Sequence, residues 1–397
     1  FNNQSIGGKI EIMNNKKEPH FETDSIHAGN EFREGTGAII PPIYATSTFE
    51  SDNDYGFDYT RSGNPNFTNL EKTIAKIEKA DYATVFASGV SAITAVLSTL
   101  DKGSMILAEE NIYGCTYRLI DQVFSKFGVS VEYVDFKNNK SIKMISEVSP
   151  DLVWIESPTN PLLKVIDIES IANETKDSET ALVVDNTFSS SYIQCPLELG
   201  ADISLLSLTK YTNGHSDALG GVVCTRDTYW GDKMMFSQKA LGLQPSPFDC
   251  WLIQRGLKTQ SIRMEKHSNN AYEIAKYLEE RFPNEKVFYP FLESHPQYEI
   301  ALKQMKMGSG IITADLGIGL EKTVSLLNEL QYFTKAESLG GVESLSCHPA
   351  SMTHSSIPRD VRESVGITDS LFRLSVGIEN VDDLIIDLSS ALDKIGA

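Results

Sequence analysis

Seven short apolar runs between residues 82 and 225 limit what this chain can fold into more than any other feature. YATVFA, SMILA, VSVEYV, DLVWIE, ALVVDN, ISLLSL and GGVVCT are β-rich, and stretches of helical character or turn signals separate most of them. Runs of this kind are what a sheet buried on both faces demands, so the alternation predicts an α/β fold with a mainly parallel sheet covered by helices. Before them, residues 31–57 carry Gly, Pro, Thr and Ser without a helical or alternating period and read as an extended arm. After them, residues 249–280 mix apolar and charged residues at helical spacing. The remainder gives strand-like runs KVFYP, GIITADL and LFRLSV and a terminal helix VDDLIIDLSSALDKI.

At 397 residues the chain exceeds what one hydrophobic core serves. The expected division is an extension and arm over 1–57, a large domain over 58–248 and a smaller α+β domain over 249–397. The segment before Met13 is set aside as a processed end. A net charge of −19 repels phosphate backbones, which excludes nucleic acid as a partner. No apolar stretch reaches the roughly 20 residues that span a bilayer, and the polar start FNNQSIGGKIEI has no signal-peptide core. A cytoplasmic protein is expected. Cys115, Cys195, Cys224, Cys250 and Cys347 are scattered without C-x-x-C spacing, which argues against a disulfide framework or a zinc site.

Three features converge on one chemistry. Lys210 follows an apolar strand in ISLLSLTKYTNGHSDALGG; alone it reads as a surface lysine. Asp185 ends the buried run ALVVDN, where an ionised carboxylate needs a cationic partner. Ser88, Gly89 and Val90 in ASGVSAITAVLSTL stand between a strand and an apolar helix, where free amides and the helix dipole favour an anion. Ser207 and Thr209 offer hydroxyls to the same anion. A Schiff-base lysine, an acid for a pyridinium nitrogen and a phosphate cup together describe a pyridoxal 5′-phosphate site.

YTRSGNPN at residue 59, SGVSA at 88, ESPTNP at 156, VDNTF at 184, SLTKYTNGHSD at 207, then ESLGGVESL, MTH and FRLSVGIE, stand in collinear order. With them the chain resembles the Cys/Met-metabolism (transsulfuration) enzymes, closest to the cystathionine γ-lyase and γ-synthase subgroups. The resemblance implies a fold-type I pyridoxal-phosphate fold, similar to aspartate aminotransferase. Lys210 would then carry the cofactor and move the Cα proton, with Asp185 on the pyridine nitrogen and Asn160 and Thr187 beside the ring. Gly89, Val90, Ser207 and Thr209 would hold the phosphate, and Tyr59 and Arg61 would reach the phosphate of a neighbouring subunit. A homo-oligomer built as a dimer of dimers is thereby implied. Tyr113 would stack on the ring and act as a base, its phenol depressed below the usual ~10 by nearby cations. Arg373 would clamp the substrate carboxylate.

The substrate side of the resemblance divides. Asp58 and Glu337, with Ser338 beside it, match the cystathionine enzymes, where a pair of acids would receive a distal ammonium. Arg118 matches a residue that lines the γ-lyase pocket. Cys115 and HPASMTHS resemble methionine γ-lyases instead. A carboxylate facing an all-apolar methionine tail would be left unpaired, so a small sulfur amino acid, cystathionine first, is the expected substrate. γ-Elimination is the first reading, γ-replacement on an activated homoserine ester the second and methionine cleavage the third. A non-catalytic cofactor-binding protein is the alternative of another class, and the presence of each residue the chemistry needs argues against it.

Overall fold

The structure is a computed structural model describing residues 18–32, 37–283, 286–355 and 358–397, so the segment before Met13 lies outside the described residues. Each of the seven runs becomes a strand: β1 Tyr82–Phe86, β2 Met105–Glu109, β3 Ser130–Val134, β4 Leu152–Glu156, β5 Ala181–Asp185, β6 Ile203–Ser207 and β7 Gly221–Thr225. They form one sheet in the order β1-β7-β6-β5-β4-β2-β3. Strands β2 to β6 run parallel, while β7 is antiparallel to both its neighbours, β1 and β6. Strands β4, β5 and β7 are buried along their whole length, because helices cover both faces. Trp154, Val183 and Leu205 pack on one face against Ala92, Ile93 and Val96 of the helix Gly89–Leu97. Val153, Leu182 and Val184 pack on the other against Ile168 and Ile171. Each such side chain removed from water contributes roughly 1.5–3 kcal/mol, which explains the near absence of polar residues in these runs.

A second sheet contains β8 Lys286–Phe288, β9 Ile311–Asp315, β10 Thr334–Lys335, β11 Leu345–Cys347 and β12 Leu371–Ser375, in the order β10-β11-β12-β9-β8. Its core joins Ile312, Ala314, Phe372 and Leu374 to Ile274 and Leu278 of the helix Gln260–Arg281 and to Leu384 and Leu388 of the helix Val381–Lys394. The three strand-like runs and the terminal helix are therefore all present. Strands β10 and β11, of two and three residues, are too short to leave a pattern.

The expected helix over 249–280 is two helices, Pro247–Leu257 and Gln260–Arg281. Arg263 explains the break. Its guanidinium donates to the Gly256 carbonyl at 2.9 Å and to the Tyr211 carbonyl at 2.7 Å, taking up an oxygen at the end of the first helix. Gly256 itself lies so close to the chain after Lys210 that a Cβ there would sit 2.1 Å from the Asn213 carbonyl oxygen.

Candidate active site

Parallel strands β4, β5 and β6 all end at one edge of the sheet, where open α/β sheets bind ligands. A cavity of about 340 Å³ opens there. Glu156, Asp185 and Ser207, the last residues of those three strands, line it together with Lys210. Gly89 and Val90 enter from the N-terminus of the helix Gly89–Leu97, where first-turn amides have no intrahelical acceptor. Ser88 caps that helix by accepting the Ser91 amide at 3.1 Å. Arg373 of β12 and the loop residues Glu337 and Ser338, between β10 and β11, also line the cavity.

Lys210 is set up as an amine. Burial, then the neighbouring Arg373 charge, lower its pKa to about 8, against an opposing pull from Glu337. Its Nζ donates to Ser338 Oγ at 2.7 Å. Ser338 has φ of +103°, a conformation that costs a non-glycine residue on the order of 1–3 kcal/mol. The gain is that one residue serves two partners: its hydroxyl meets Lys210 and its carbonyl accepts Arg373 at 2.9 Å. Arg373 lies in the middle of β12, buried, and also donates to Asn160 Oδ1 at 2.9 Å. Its Nε is buried without a partner among the described residues. A guanidinium so fixed has donor capacity left for a carboxylate.

Asp185 accepts the Thr187 amide at 3.0 Å, and burial raises its pKa to about 6 against the hydrogen bonds from Thr187. Among the described residues no lysine or arginine forms an ion pair with it. The Thr187 hydroxyl in turn accepts the Ser207 amide at 2.8 Å, tying the β5 and β6 ends together. Pyridoxal phosphate fits this donor set. The phosphate would meet the Gly89 and Val90 amides and the Ser207 and Thr209 hydroxyls, the pyridinium nitrogen would neutralise Asp185, and Lys210 would bond the aldehyde. Gly89 has no Cβ because one would stand 2.8 Å from Ser207 Cβ and fill the cup.

The sequence profile described as "Cys/Met metabolism PLP-dependent enzyme" matches residues 22–393. The chain belongs to this family. Among relatives, cystathionine γ-lyase of Sus scrofa is 45% identical over 94% of this chain and 93% of its own length. Cystathionine β-lyase of Coxiella burnetii is 43% identical over 96% of this chain and 99% of its own. The crystal structure of cystathionine γ-lyase from Lactobacillus plantarum, complexed with L-serine, superposes with a TM-score of 0.91 at 39% identity, covering 96% of this chain and all of that one. The Cys/Met-metabolism fold and its pyridoxal phosphate dependence are thus those of this chain.

Not every expected site residue meets in the cavity. Tyr59 is 45% exposed, and the Arg61 guanidinium lies 5.5 Å from its ring and donates to the Lys239 carbonyl, away from the cavity of the same chain. Asp58 is also exposed, its carboxylate accepting the Tyr59 amide at 2.6 Å, so within one chain it does not pair with Glu337. Arg118 does not line the cavity either: its guanidinium donates to Cys115 Sγ at 2.8 Å. The Tyr113 phenol corrects another expectation, for it is pushed up rather than down. Burial and the Cys115 thiol raise its pKa, Glu156 adds to this, and the single Arg118 charge does not compensate.

Glu156, Phe188, Leu219, Leu339 and Thr353 line the cavity without having been singled out. Glu156 and Phe188 stand inside ESPTNP and VDNTF, and Thr353 inside MTH, so their signal was present. Leu339 likewise stands inside ESLGGVESL, and Leu219 reaches the cavity through a loop that no periodicity describes. Among the cysteines, Cys224, Cys250 and Cys347 are buried small residues as expected, and Cys115 is half-buried.

Proposed function

We propose that this chain is a carbon–sulfur lyase that cleaves cystathionine by γ-elimination to cysteine, 2-oxobutanoate and ammonia. The observation that carries the reading is the set of charges lining one cavity: the cations Lys210 and Arg373 with the carboxylates Asp185 and Glu337. Arg373 binds the substrate α-carboxylate with its free Nε. Glu337 receives the distal ammonium of cystathionine, a contact methionine cannot make. Lys210, largely stripped of water, moves protons at Cα and Cβ, and Tyr113, its phenol held protonated, would stack on the cofactor ring. Bound pyridoxal phosphate supplies the electron sink that makes the Cα proton acidic.

The exposure of Tyr59 and Arg61 away from their own cavity supports a homo-oligomer, a dimer of dimers, in which they complete a neighbour's phosphate site. A second reading, β-elimination to pyruvate and homocysteine, is favoured by the β-lyase relative of nearly equal identity. Supplying cystathionine, methionine, and an activated homoserine ester with cysteine, then identifying the products, separates all four reactions. Glu337→Val should raise the barrier for cystathionine by about 1.5–3 kcal/mol, the range for a hydrogen bond to a charged group. Methionine turnover should hold steady or improve. Equal loss of kcat/KM on both substrates would assign Glu337 to the fold or cofactor instead.

A further inference from the structure

Glu156 and Asp185 are partners in the adjacent parallel strands β4 and β5. Their side chains therefore leave the sheet on the same face, the one bearing the helix Gly89–Leu97 and the cavity. Glu109, which ends β2, falls in register with Ile155 rather than Glu156 and belongs to the opposite face. It has its own cation, Lys164, at 3.3 Å and accepts the Phe136 amide at 3.0 Å. Glu156 is 5% exposed and forms no ion pair among the described residues. Its Oε1 accepts the Tyr113 amide at 2.5 Å. A carboxyl buried beside a second carboxyl is costly, and an apolar residue would fill the same place without that cost.

Tyr113 supplies the reason. It stands just before the short helix Gly114–Arg118 and its side chain makes no capping bond, which leaves the phenol facing the cavity. At 38% exposure the ring is only loosely enclosed, so its position depends on its backbone. That backbone is pinned at both ends, the carbonyl by the Tyr117 amide at 3.0 Å and the amide by Glu156. We propose that Glu156 is a positioning residue, which hangs Tyr113 over the cofactor site from the end of β4. The inference rests on the reading of the cavity given above and deepens it. Burial and the adjacent Asp185 push the Glu156 carboxyl well up, which favours its neutral form as the acceptor of the amide and leaves Asp185 as the group to ionise against the cofactor.

A neutral acceptor predicts which substitutions succeed. Glu156→Gln keeps a carbonyl oxygen at the same reach, whereas Glu156→Asp keeps a carboxyl but is one methylene short, and Glu156→Ala keeps no acceptor. The test is titration of cofactor-free protein with pyridoxal phosphate, followed by fluorescence and by the induced circular dichroism of the bound cofactor. Loss of one hydrogen bond and of ring stacking should weaken binding about tenfold in the Ala and Asp variants, and the Gln variant should stay within about threefold of wild type. The dichroic band should shrink in the first two and persist in the third. In a Tyr113→Ala background, Glu156→Ala should add little further loss, because the ring it positions is gone. Additive losses, or a Gln variant as impaired as Ala, would overturn the proposal. If the Ala chain does not fold, the Asp and Gln variants decide it by the same criterion. Wild-type protein that binds the cofactor but releases neither 2-oxobutanoate nor pyruvate from cystathionine would overturn the lyase reading and leave this inference standing.

Discussion

Two ionisable side chains lining the cavity carry opposite liabilities, and each makes a measurable difference. Lys210 has a pKa of about 8, so at pH 7 roughly a tenth of it is free amine, against far less than a hundredth for an ordinary lysine near 10.4. Limiting pyridoxal phosphate followed by borohydride should therefore label Lys210 first. The rate should climb through pH 8 and level off above about pH 9, where surface lysines only begin to compete. Peptide mapping that finds label spread evenly over surface lysines would contradict this. Asp185 is the converse case. Its carboxyl holds a proton up to about pH 6 in the folded protein and loses it near the ordinary 3.8 when unfolded. The folded state therefore binds the proton more tightly, and the stability this gives is complete at low pH and disappears as pH rises through 6. Cofactor-free Asp185→Asn should melt at higher temperature than wild type, by a margin that widens between pH 5 and pH 8. The same variant should bind pyridoxal phosphate more weakly, since the pyridinium loses its counter-charge. A margin independent of pH would show that the gain comes from packing.

The phosphate cup depends on how closely two elements approach. Gly221 begins β7, and a Cβ there would lie 2.2 Å from the Ser88 carbonyl oxygen and 2.9 Å from the Gly89 amide nitrogen. Those are backbone atoms of the turn entering the helix Gly89–Leu97, so they cannot rotate away as a flexible side chain would. Gly221→Ala should push the first-turn amides out of line, weakening cofactor binding at least tenfold while far-ultraviolet dichroism stays near wild type. Unchanged affinity would mean the cup tolerates displacement. The seven strands were legible in the sequence because doubly buried strands must be apolar throughout. That same uniformity left the face of Glu156 undecided, though the motif ESPTNP contains it, since a run without alternation does not say which face its last residue takes. Lys210 and Asp185 could be reasoned from strand ends only together with the Ser88–Val90 phosphate cup. Glu337, Ser338 and Arg373 could not, because they come from β12 and the loop before β11 and meet Lys210 only through tertiary packing; the family resemblance identified them. The break near Gly256 was invisible because its cause, Arg263 reaching both Gly256 and Tyr211, is a folded-state contact.

At the scale of the whole molecule, the segment after residue 37 has little core of its own. It is tied down by long-range bonds: Asn66 accepts the Tyr44 amide at 2.8 Å and donates to the Pro42 carbonyl at 2.9 Å, and Trp251 donates to the Pro41 carbonyl at 3.0 Å. Leu219, which lines the cavity, is 58% exposed, and an exposed apolar side chain at the rim of a site is one place where a second chain can pack. An apolar contact there would lie next to the site it completes. Under the proposed oligomer, Lys210 and the exposed Arg61 would belong to different chains at each working site. A chain with Arg61→Ala and a chain with Lys210→Ala should each be inactive alone, since every site in either homo-oligomer lacks one of the two. When they are unfolded together and reassembled at equal amounts, a site works only if it draws Lys210 from the first chain and Arg61 from the second. Random closed assembly gives that combination at about one site in four, so about a quarter of wild-type activity should return. Mixed oligomers verified by two affinity tags but devoid of activity would mean that each chain builds its site alone, with Arg61 bound to the Lys239 carbonyl for a structural reason only.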